Sequence, residues 1–402
     1  MSEQIVTELL IPKNDVINPE FSIVIPAMNE ELSIETFISW CKEGIKKAEI
    51  QCEIIIVDSS SDKTPNLALE NGARVLRIPK RGLGRAYIDS IPYIRGKYII
   101  MGDADCTYDF RELGPFIEKF RDGNEYIMGS RVKGVIEKGS MPALNRYFGK
   151  PLTNFILNTM FRSNFSDIHC GMRGVTKNAL IQMNLKSQSW EYASEMVIKA
   201  IQLGLRITEV PINFLKEKAG RESHMVRSGW FTPWYAGWVN LRAMFLFGVD
   251  FFIFVPGIIM LISGLMLSLP LTFGPIQIGT FSLSIHWMLV GITLSIIGLQ
   301  SFFLGLISKT IYDYRNIKSK KWIEFLSYER VAIFSGILFV FGLLLTITLV
   351  SDYISNGFIL PGIRDEYFKS ILGLMLIVFS FISFTSTLVL HSLAVTLERE
   401  KV

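Results

Sequence analysis

Short apolar runs alternate with amphipathic stretches through the first half of the chain. Phe21-Ser22-Ile23-Val24-Ile25 reads as a buried strand, and residues 30–48 read as a helix. Residues 53–57 form a second apolar run, followed by a polar loop and a helix near 65–71. A strand at 74–78, a helix near 84–94 and a strand at 98–101 come next. A helix near 112–122 then leads to a strand at 126–129. Strand and helix in turn predict an α/β domain, a mainly parallel sheet covered on both faces. In such sheets ligands bind beyond the carboxyl ends of the strands.

The pattern changes after residue 248. No Asp, Glu, Lys or Arg occurs over 251–308, 331–351 or 371–396. A bilayer core of about 30 Å needs about 20 apolar helical residues. The first window is too long for one span and breaks at Pro270 and Gly274-Pro275. Four transmembrane helices are expected, at about 249–270, 286–307, 331–350 and 371–393, within an α-helical membrane domain over 249–402. The loop between the second and third carries Lys309, Arg315, Lys318, Lys320, Lys321 and Arg330, whereas the loop after the first has no charge. Excess Lys and Arg marks the cytoplasmic side. Both termini and the α/β domain are therefore expected in the cytoplasm. Residues 1–20 read as an N-terminal extension, and no cleaved signal peptide is expected.

Two stretches look suited to a membrane surface. Residues 141–161 carry Arg146 and Lys150 among Leu144, Tyr147, Phe148, Leu152, Phe155, Ile156 and Met160. That is the pattern of an interfacial helix, inside a domain bounded at 21–228. Trp230, Trp234, Tyr235 and Trp238 cluster in an amphipathic juxtamembrane segment over 229–248. Tryptophan and tyrosine favour the headgroup level. A net charge of +4 is too mild for a nucleic-acid binder. Cys41, Cys52, Cys106 and Cys170 show no metal-ligand spacing and read as reduced packing residues.

The strand ends carry the chemistry. The first ends in Pro26-Ala27-Met28-Asn29-Glu30 and the second in Asp58-Ser59-Ser60-Ser61-Asp62. The third ends in Pro79-Lys80-Arg81-Gly82-Leu83-Gly84 and the fourth in Asp103-Ala104-Asp105. Polar, charged and glycine residues at four successive tips point to a nucleotide site. Two carboxylates one residue apart repel unless a cation lies beside them. A hard divalent ion, Mg²⁺ or Mn²⁺, takes one or two carboxylates and fills its shell with phosphate oxygens and water. Asp105 is the expected ligand. Asp103 lies close either to the metal or to sugar and ribose hydroxyls.

These residues resemble glycosyltransferase family 2, with its Rossmann-like GT-A fold for nucleotide-diphospho-sugars. The matching pieces are SIVIPAMNE, EIIIVDSSSDKT, RGLGRAY, GDADC, the GSR at 129–131, the CGMRG at 170–174 and EVPINF. They span roughly residues 20–225. With hydrophobic spans following and no QxxRW motif, the chain looks like the dolichyl-phosphate mannosyltransferase and polyprenyl-phosphate glycosyltransferase group. The resemblance implies a hexosyltransferase using GDP-mannose or UDP-glucose and a polyprenyl or dolichyl phosphate. It places Pro26, Asn29, Glu30, Arg81, Gly82 and Ala104 around the nucleotide sugar and Asp58 at the base. Asp103 and Asp105 match the metal motif, and Arg131 matches a candidate for the lipid phosphate. Asp167 loosely matches an acid near the sugar. Arg173 sits where the family has its own arginine, as a salt-bridge residue or a ligand contact. Lys218 or Arg221 stands in for a late basic residue, and His224 is a further candidate phosphate donor. The family's second aspartate after strand two is Ser59 here, which departs from its usual base recognition.

A lipid phosphate is already ionised at neutral pH, so an inverting displacement needs mainly positioning and charge balance. Arg131 and Arg146 are the expected acceptor ligands, since a guanidinium fork suits phosphate oxygens. The alternative acceptor is a hydroxyl of a lipid-linked glycan or glycolipid. It would need a base, and Asp167 would be that base.

Overall fold

The structure is a computed structural model describing residues 7–140, 147, 149–161, 163–217, 238, 242, 245, 248–312, 318–359 and 366–399. The chain divides into two compact units, Met1–Phe247 and Gly248–Val402.

Among the described residues, the first unit is built on eight strands: β1 (Glu8–Leu10), β2 (Phe21–Ala27), β3 (Cys52–Asp58), β4 (Arg74–Arg77), β5 (Tyr98–Met101), β6 (Tyr126–Ile136), β7 (Arg173–Thr176) and β8 (Ile207–Phe214). Helices α1 (Ile34–Lys47), α2 (Thr64–Glu70), α3 (Leu83–Ser90), α4 (Gly114–Arg121), α5 (Lys150–Phe161), α6 (Lys177–Met183) and α7 (Tyr192–Leu203) connect them. The strand order is β1-β4-β3-β2-β5-β7-β6-β8. Strands β4, β3, β2 and β5 run parallel, while β1 and β7 are antiparallel to their neighbours. Every residue of β3 is buried, as expected of an interior strand covered on both faces. Helix α1 presents Ile34, Phe37, Ile38 and Cys41 to the core at helical spacing. Its first turn holds Glu35 and its last holds Lys46 and Lys47, which complements the helix dipole. Phe21, Ile23, Ile25, Phe110, Phe116 and Phe120 complete that core.

The chain winds from β2 through β3 to β4 in one direction, and β5 then pairs on the other side of β2. This reversal opens a crevice between the carboxyl ends of β2 and β5. The expected 1–20 extension contributes β1, which pairs in register Glu8 to Arg77 at the sheet edge. Strand β6 runs on past the expected end at 129 to Ile136, with an irregularity between Ser130 and Val135.

Among the described residues, the second unit holds four helices long and apolar enough to cross a membrane, Phe251–Leu271, Ile285–Ile311, Tyr328–Ser355 and Tyr367–Thr396. They lie within α8 (Val255–Leu271, with a π-helical turn before it), α9 (Ile285–Tyr312), α11 (Tyr328–Ser355) and α12 (Glu366–Arg399). A short helix, α10 (Lys318–Phe325), precedes α11. The first span matches its expected length, while the other three are longer than expected, because the helical hydrogen bonding continues past the end of each uncharged run. The turn expected between the first two is a small hairpin of β9 (Ile276–Ile278) and β10 (Phe281–Leu283).

Small residues let these helices approach closely. A Cβ on Gly298 would lie 2.2 Å from the Leu261 nitrogen, joining α9 to α8. A Cβ on Gly342 would lie 2.7 Å from the Gly373 oxygen, joining α11 to α12. Helix α9 also packs on α12, whereas α11 packs chiefly on α12 alone. The four therefore stand in the order α8, α9, α12, α11.

Candidate active site

The loops after β2 and β3 are knitted into one surface. Asn29 adopts a left-handed backbone with φ of 54°. Its N–H donates to Ser60 Oγ at 2.7 Å, and its Oδ1 accepts from the Ser61 N–H at 3.0 Å. Asparagine tolerates this conformation because its short side chain bonds locally. The Glu30 N–H donates to Thr64 Oγ1 at 2.8 Å, and its buried carboxylate accepts from Ser33 Oγ. Pro26 lies in register with Val57 at the end of the paired strands. Asp58 is fully buried, with Arg77 Nε 3.1 Å from Oδ2. Burial pushes its carboxyl pKa up, while Ser60 and Arg77 pull the other way without cancelling the shift.

On the other side of the crevice, Asp103 and Asp105 leave the tip of β5 half-buried, with Ala104 buried between them. Asp105 Oδ1 accepts from the Thr107 N–H at 3.0 Å and from Thr107 Oγ1 at 2.6 Å. This turn fixes the carboxylate orientation. Asp103 lies against Gly171, where an added Cβ would come within 2.8 Å of Asp103 Oδ2 and 3.0 Å of Tyr108 Oη. The Gly171 N–H donates to that Tyr108 oxygen at 2.7 Å. Among the described residues no group of three His, Cys, Asp or Glu side chains gathers. Two hard oxygen carboxylates, one of them rigidly oriented, fit a Mg²⁺ or Mn²⁺ ion that completes its shell with substrate oxygens.

The third tip closes the site. Gly82 has φ of +111°, and a Cβ there would sit 2.3 Å from the Gln188 carbonyl oxygen. Gly84 meets the Ser187 oxygen at the same 2.3 Å. The Arg85 N–H donates to Gln188 O at 3.0 Å. Glu195 holds the opposing loop by accepting from the N–H groups of Lys186 and Ser187. Arg81 pairs with Asp89 rather than lining the crevice alone. Tyr87 donates to the Gly102 oxygen at 2.9 Å beneath the aspartate pair.

Arg131 and Asp167 hold each other. Arg131 Nε and Nη2 donate to the two carboxylate oxygens at 2.6 and 2.8 Å, and the Arg131 N–H adds a third bond at 3.1 Å. Both side chains are buried. Arg173 is expected as a salt bridge or a ligand contact, and among the described residues it makes no ion pair. Fully buried, it donates to the carbonyls of Cys170, Ile168 and Ala193 and to Tyr126 Oη, all within 2.9 Å. It ties the 168–170 loop to α7. Arg146, Lys218, Arg221, His224, Trp230, Trp234 and Tyr235 lie outside the described residues.

Sequence reasoning missed Thr107 and the Gln188 backbone, and it named Ser60, Ser61 and Thr64 only as part of a polar tip, without their bonds to Asn29 and Glu30. Thr107 had a readable signal, since a threonine two residues after an aspartate favours this turn. Gln188 had none, because its backbone oxygen does the work.

Residues 22–183 match the family description Glycosyl transferase family 2, and residues 307–394 match Glycosyltransferase family 2 C-terminal transmembrane region. A low-salt glycan biosynthesis hexosyltransferase of Haloferax volcanii is 34% identical over 358 residues, covering 87% of this chain and 84% of that protein. The chain belongs to glycosyltransferase family 2. A dolichyl-phosphate hexose transferase of the same organism is 26% identical over 201 residues, covering 50% of this chain and 85% of that one. Among solved structures, glucosyl-3-phosphoglycerate synthase from Mycobacterium tuberculosis, with Mn²⁺, UDP and product, matches at 19% identity and a TM-score of 0.45. That match covers 57% of this chain and 80% of that one. The family 2 enzyme described here thus couples a GT-A catalytic unit to a membrane unit of its family's own type. It is a membrane glycosyltransferase.

Proposed function

We propose that the enzyme moves a hexose from a GDP- or UDP-sugar to a polyprenyl or dolichyl phosphate at the cytoplasmic membrane surface, inverting the anomeric centre. The observation that carries this reading is the aspartate pair at the β5 tip, across the crevice from Asn29, Glu30 and Asp58 and covalently joined to four apolar helices. Asp58, buried at the end of β3, would accept a hydrogen bond from a nucleobase N–H. Asn29, Glu30 and the Gly82 turn shape the wall for ribose and diphosphate. Asp103 and Asp105 would hold a divalent ion, which supplies charge neutralisation for the leaving diphosphate when bound. Arg131, oriented by Asp167 behind it, presents a guanidinium suited to an acceptor phosphate. Exposed Tyr147, Leu152 and Phe155 on and beside α5 provide apolar surface for a bilayer interface.

The hydroxyl-acceptor alternative relies on Asp167 as base. Both Asp167 oxygens are already engaged by charge-assisted bonds from Arg131, which favours the phosphate acceptor. The test is transfer by purified protein from a panel of UDP- and GDP-sugars to a short polyprenyl phosphate with Mg²⁺ or Mn²⁺. Sugar on the lipid phosphate, lost in Asp105→Ala, is the expected result. Donor binding without transfer to any lipid phosphate overturns the acceptor assignment.

A further inference from the structure

The EVPINF run lies in β8, and β8 stands behind both sides of the crevice. On the Arg131 side, the Glu209 carboxylate accepts from the Ser166 N–H at 2.7 Å and from Lys133 Nζ at 2.6 Å. It thereby holds the turn that carries Asp167, the partner of Arg131. Strand β8 pairs with β6 in register from Tyr126–Ile207 to Ser130–Pro211, and again at Val135–Asn213. The β6 residues from Arg131 to Gly134 therefore oppose Ile212 alone. A bulge re-aims the side chain beside it, and here that side chain is Arg131. Gly134 lets the two backbones close up, since a Cβ there would lie 2.0 Å from the Ile212 oxygen.

On the aspartate side, the end of β8 clamps two residues that follow the pair. The Leu215 N–H donates to the Thr107 oxygen at 2.8 Å, and Tyr108 forms an antiparallel bridge with Phe214. Thr107 fixes the Asp105 carboxylate, and Tyr108 Oη accepts the Gly171 N–H beside Asp103. The 107–108 dipeptide thus stands between β8 and both carboxylates.

Phe214 joins the two sides. Its ring centroid lies 5.3 Å from that of Tyr108, and the Arg131 guanidinium carbon lies 5.2 Å from the Phe214 centroid. A guanidinium within about 6 Å of an aromatic centroid is attracted to the ring. In the sheet, β7 separates β5 from β6, so the Phe214 ring is a path between aspartates and arginine that bypasses the strand ladder.

We propose that Phe214 is a positioning residue that couples the aspartate pair to Arg131. Its ring seats the 107–108 dipeptide and the arginine on one support, so a divalent ion that orders the carboxylates also orders Arg131. The leaving-group and acceptor sides of the crevice then assemble together. The inference rests on the proposed function only in taking the aspartate pair as the cation site, and not on the identity of the acceptor.

The experiment uses the full chain in detergent, with Mn²⁺ alone as the probe and no lipid acceptor. Electron paramagnetic resonance reads Mn²⁺ affinity, and hydrogen exchange with mass spectrometry reads the backbone at 103–108 and 129–133. Adding Mn²⁺ to the wild type is expected to slow exchange in both segments. In Phe214→Leu, affinity should fall about fivefold, and exchange should slow at 103–108 only. Phe214→Tyr keeps the ring and should restore both readouts. A side chain that only filled the core would shift the melting temperature without uncoupling the two segments. Unchanged Mn²⁺ affinity in Phe214→Leu overturns the proposal. So does a 129–133 segment that still responds to Mn²⁺ in that variant, or one that never responds in the wild type. No Mn²⁺ binding by the wild type, or binding kept in Asp105→Ala, overturns the cation site and the coupling together. Failure to glycosylate any polyprenyl phosphate removes the acceptor assignment and leaves these readouts standing. Thermal unfolding checks each variant, and Phe214→Met supplies the same comparison should Phe214→Leu not fold.

Discussion

Removing either member of the Arg131–Asp167 pair leaves a buried charge alone. Arg131 is 7% exposed and Asp167 1%, and three hydrogen bonds join them. Breaking such a pair by deleting one partner costs about 3–5 kcal/mol. In a unit of this size each kcal/mol shifts the melting temperature by about 2–4 °C. Arg131→Met and Asp167→Leu should therefore each lower it by roughly 6–20 °C. The double variant buries no unpaired charge, so it should recover most of that loss. The assay is thermal unfolding of the detergent-purified full chain at fixed pH and lipid content. Single variants melting within about 2 °C of wild type, equivalent to roughly 0.5–1 kcal/mol, would falsify the coupling. Additive losses in the double variant would sink it equally. The double variant also tests whether the pair acts beyond the fold. If stability and lipid-phosphate transfer both return, the pair serves only the fold; if stability returns without transfer, at least one of the two side chains acts on substrate.

Three other outcomes are expected. Gly171→Ala should keep the fold but lower kcat at least tenfold and weaken Mn²⁺ binding measured by electron paramagnetic resonance, because its Cβ would lie 2.8 Å from Asp103 Oδ2. Burial raises the Asp58 pKa, so the native state holds this proton more tightly than the unfolded chain does. Stability from this group then falls as pH rises from the ordinary carboxylate range through the raised value, and the penalty is complete only above that value. Asp58→Asn should therefore stabilise the unit at pH 7 by about 1 kcal/mol in denaturant titration while weakening nucleotide affinity in calorimetry. Arg173→Lys should lower the melting temperature by several degrees, since one ammonium cannot serve four acceptors spread around the guanidinium. Donor KM should change before kcat if the 168–170 loop is what it supports.

The parallel core was legible because β2, β3 and β5 are apolar runs ending in polar tips, and each tip residue belongs to a turn with local chemistry. Strands β7 and β8 were not read as strands. Arg173 opens β7 with a buried charge, and β8 carries Pro211 and an exposed-buried alternation from Pro211 to Asn213 that short windows do not resolve. The Arg131–Asp167 pair was invisible for a different reason. Thirty-six residues separate the two, and only the sheet order brings them together. Arg173 shows the limit of motif reasoning: its place in CGMRG located it near the site, but three of its four partners are backbone carbonyls, which carry no signal in side-chain identity. The four spans were legible because a long uncharged window has few soluble explanations.

The order α8, α9, α12, α11 has a bearing on biogenesis. Each glycine-lined helical pair is a hairpin of consecutive spans, α8 with α9 and α11 with α12. The first can leave the translocon and close before the second is synthesised, since none of its close glycine contacts waits on later sequence. The second can then assemble in the same way and dock through α12 alone. Release from the ribosome would thus proceed in two self-sufficient stages, and a truncation after α9 should yield an inserted hairpin rather than a substrate for quality control.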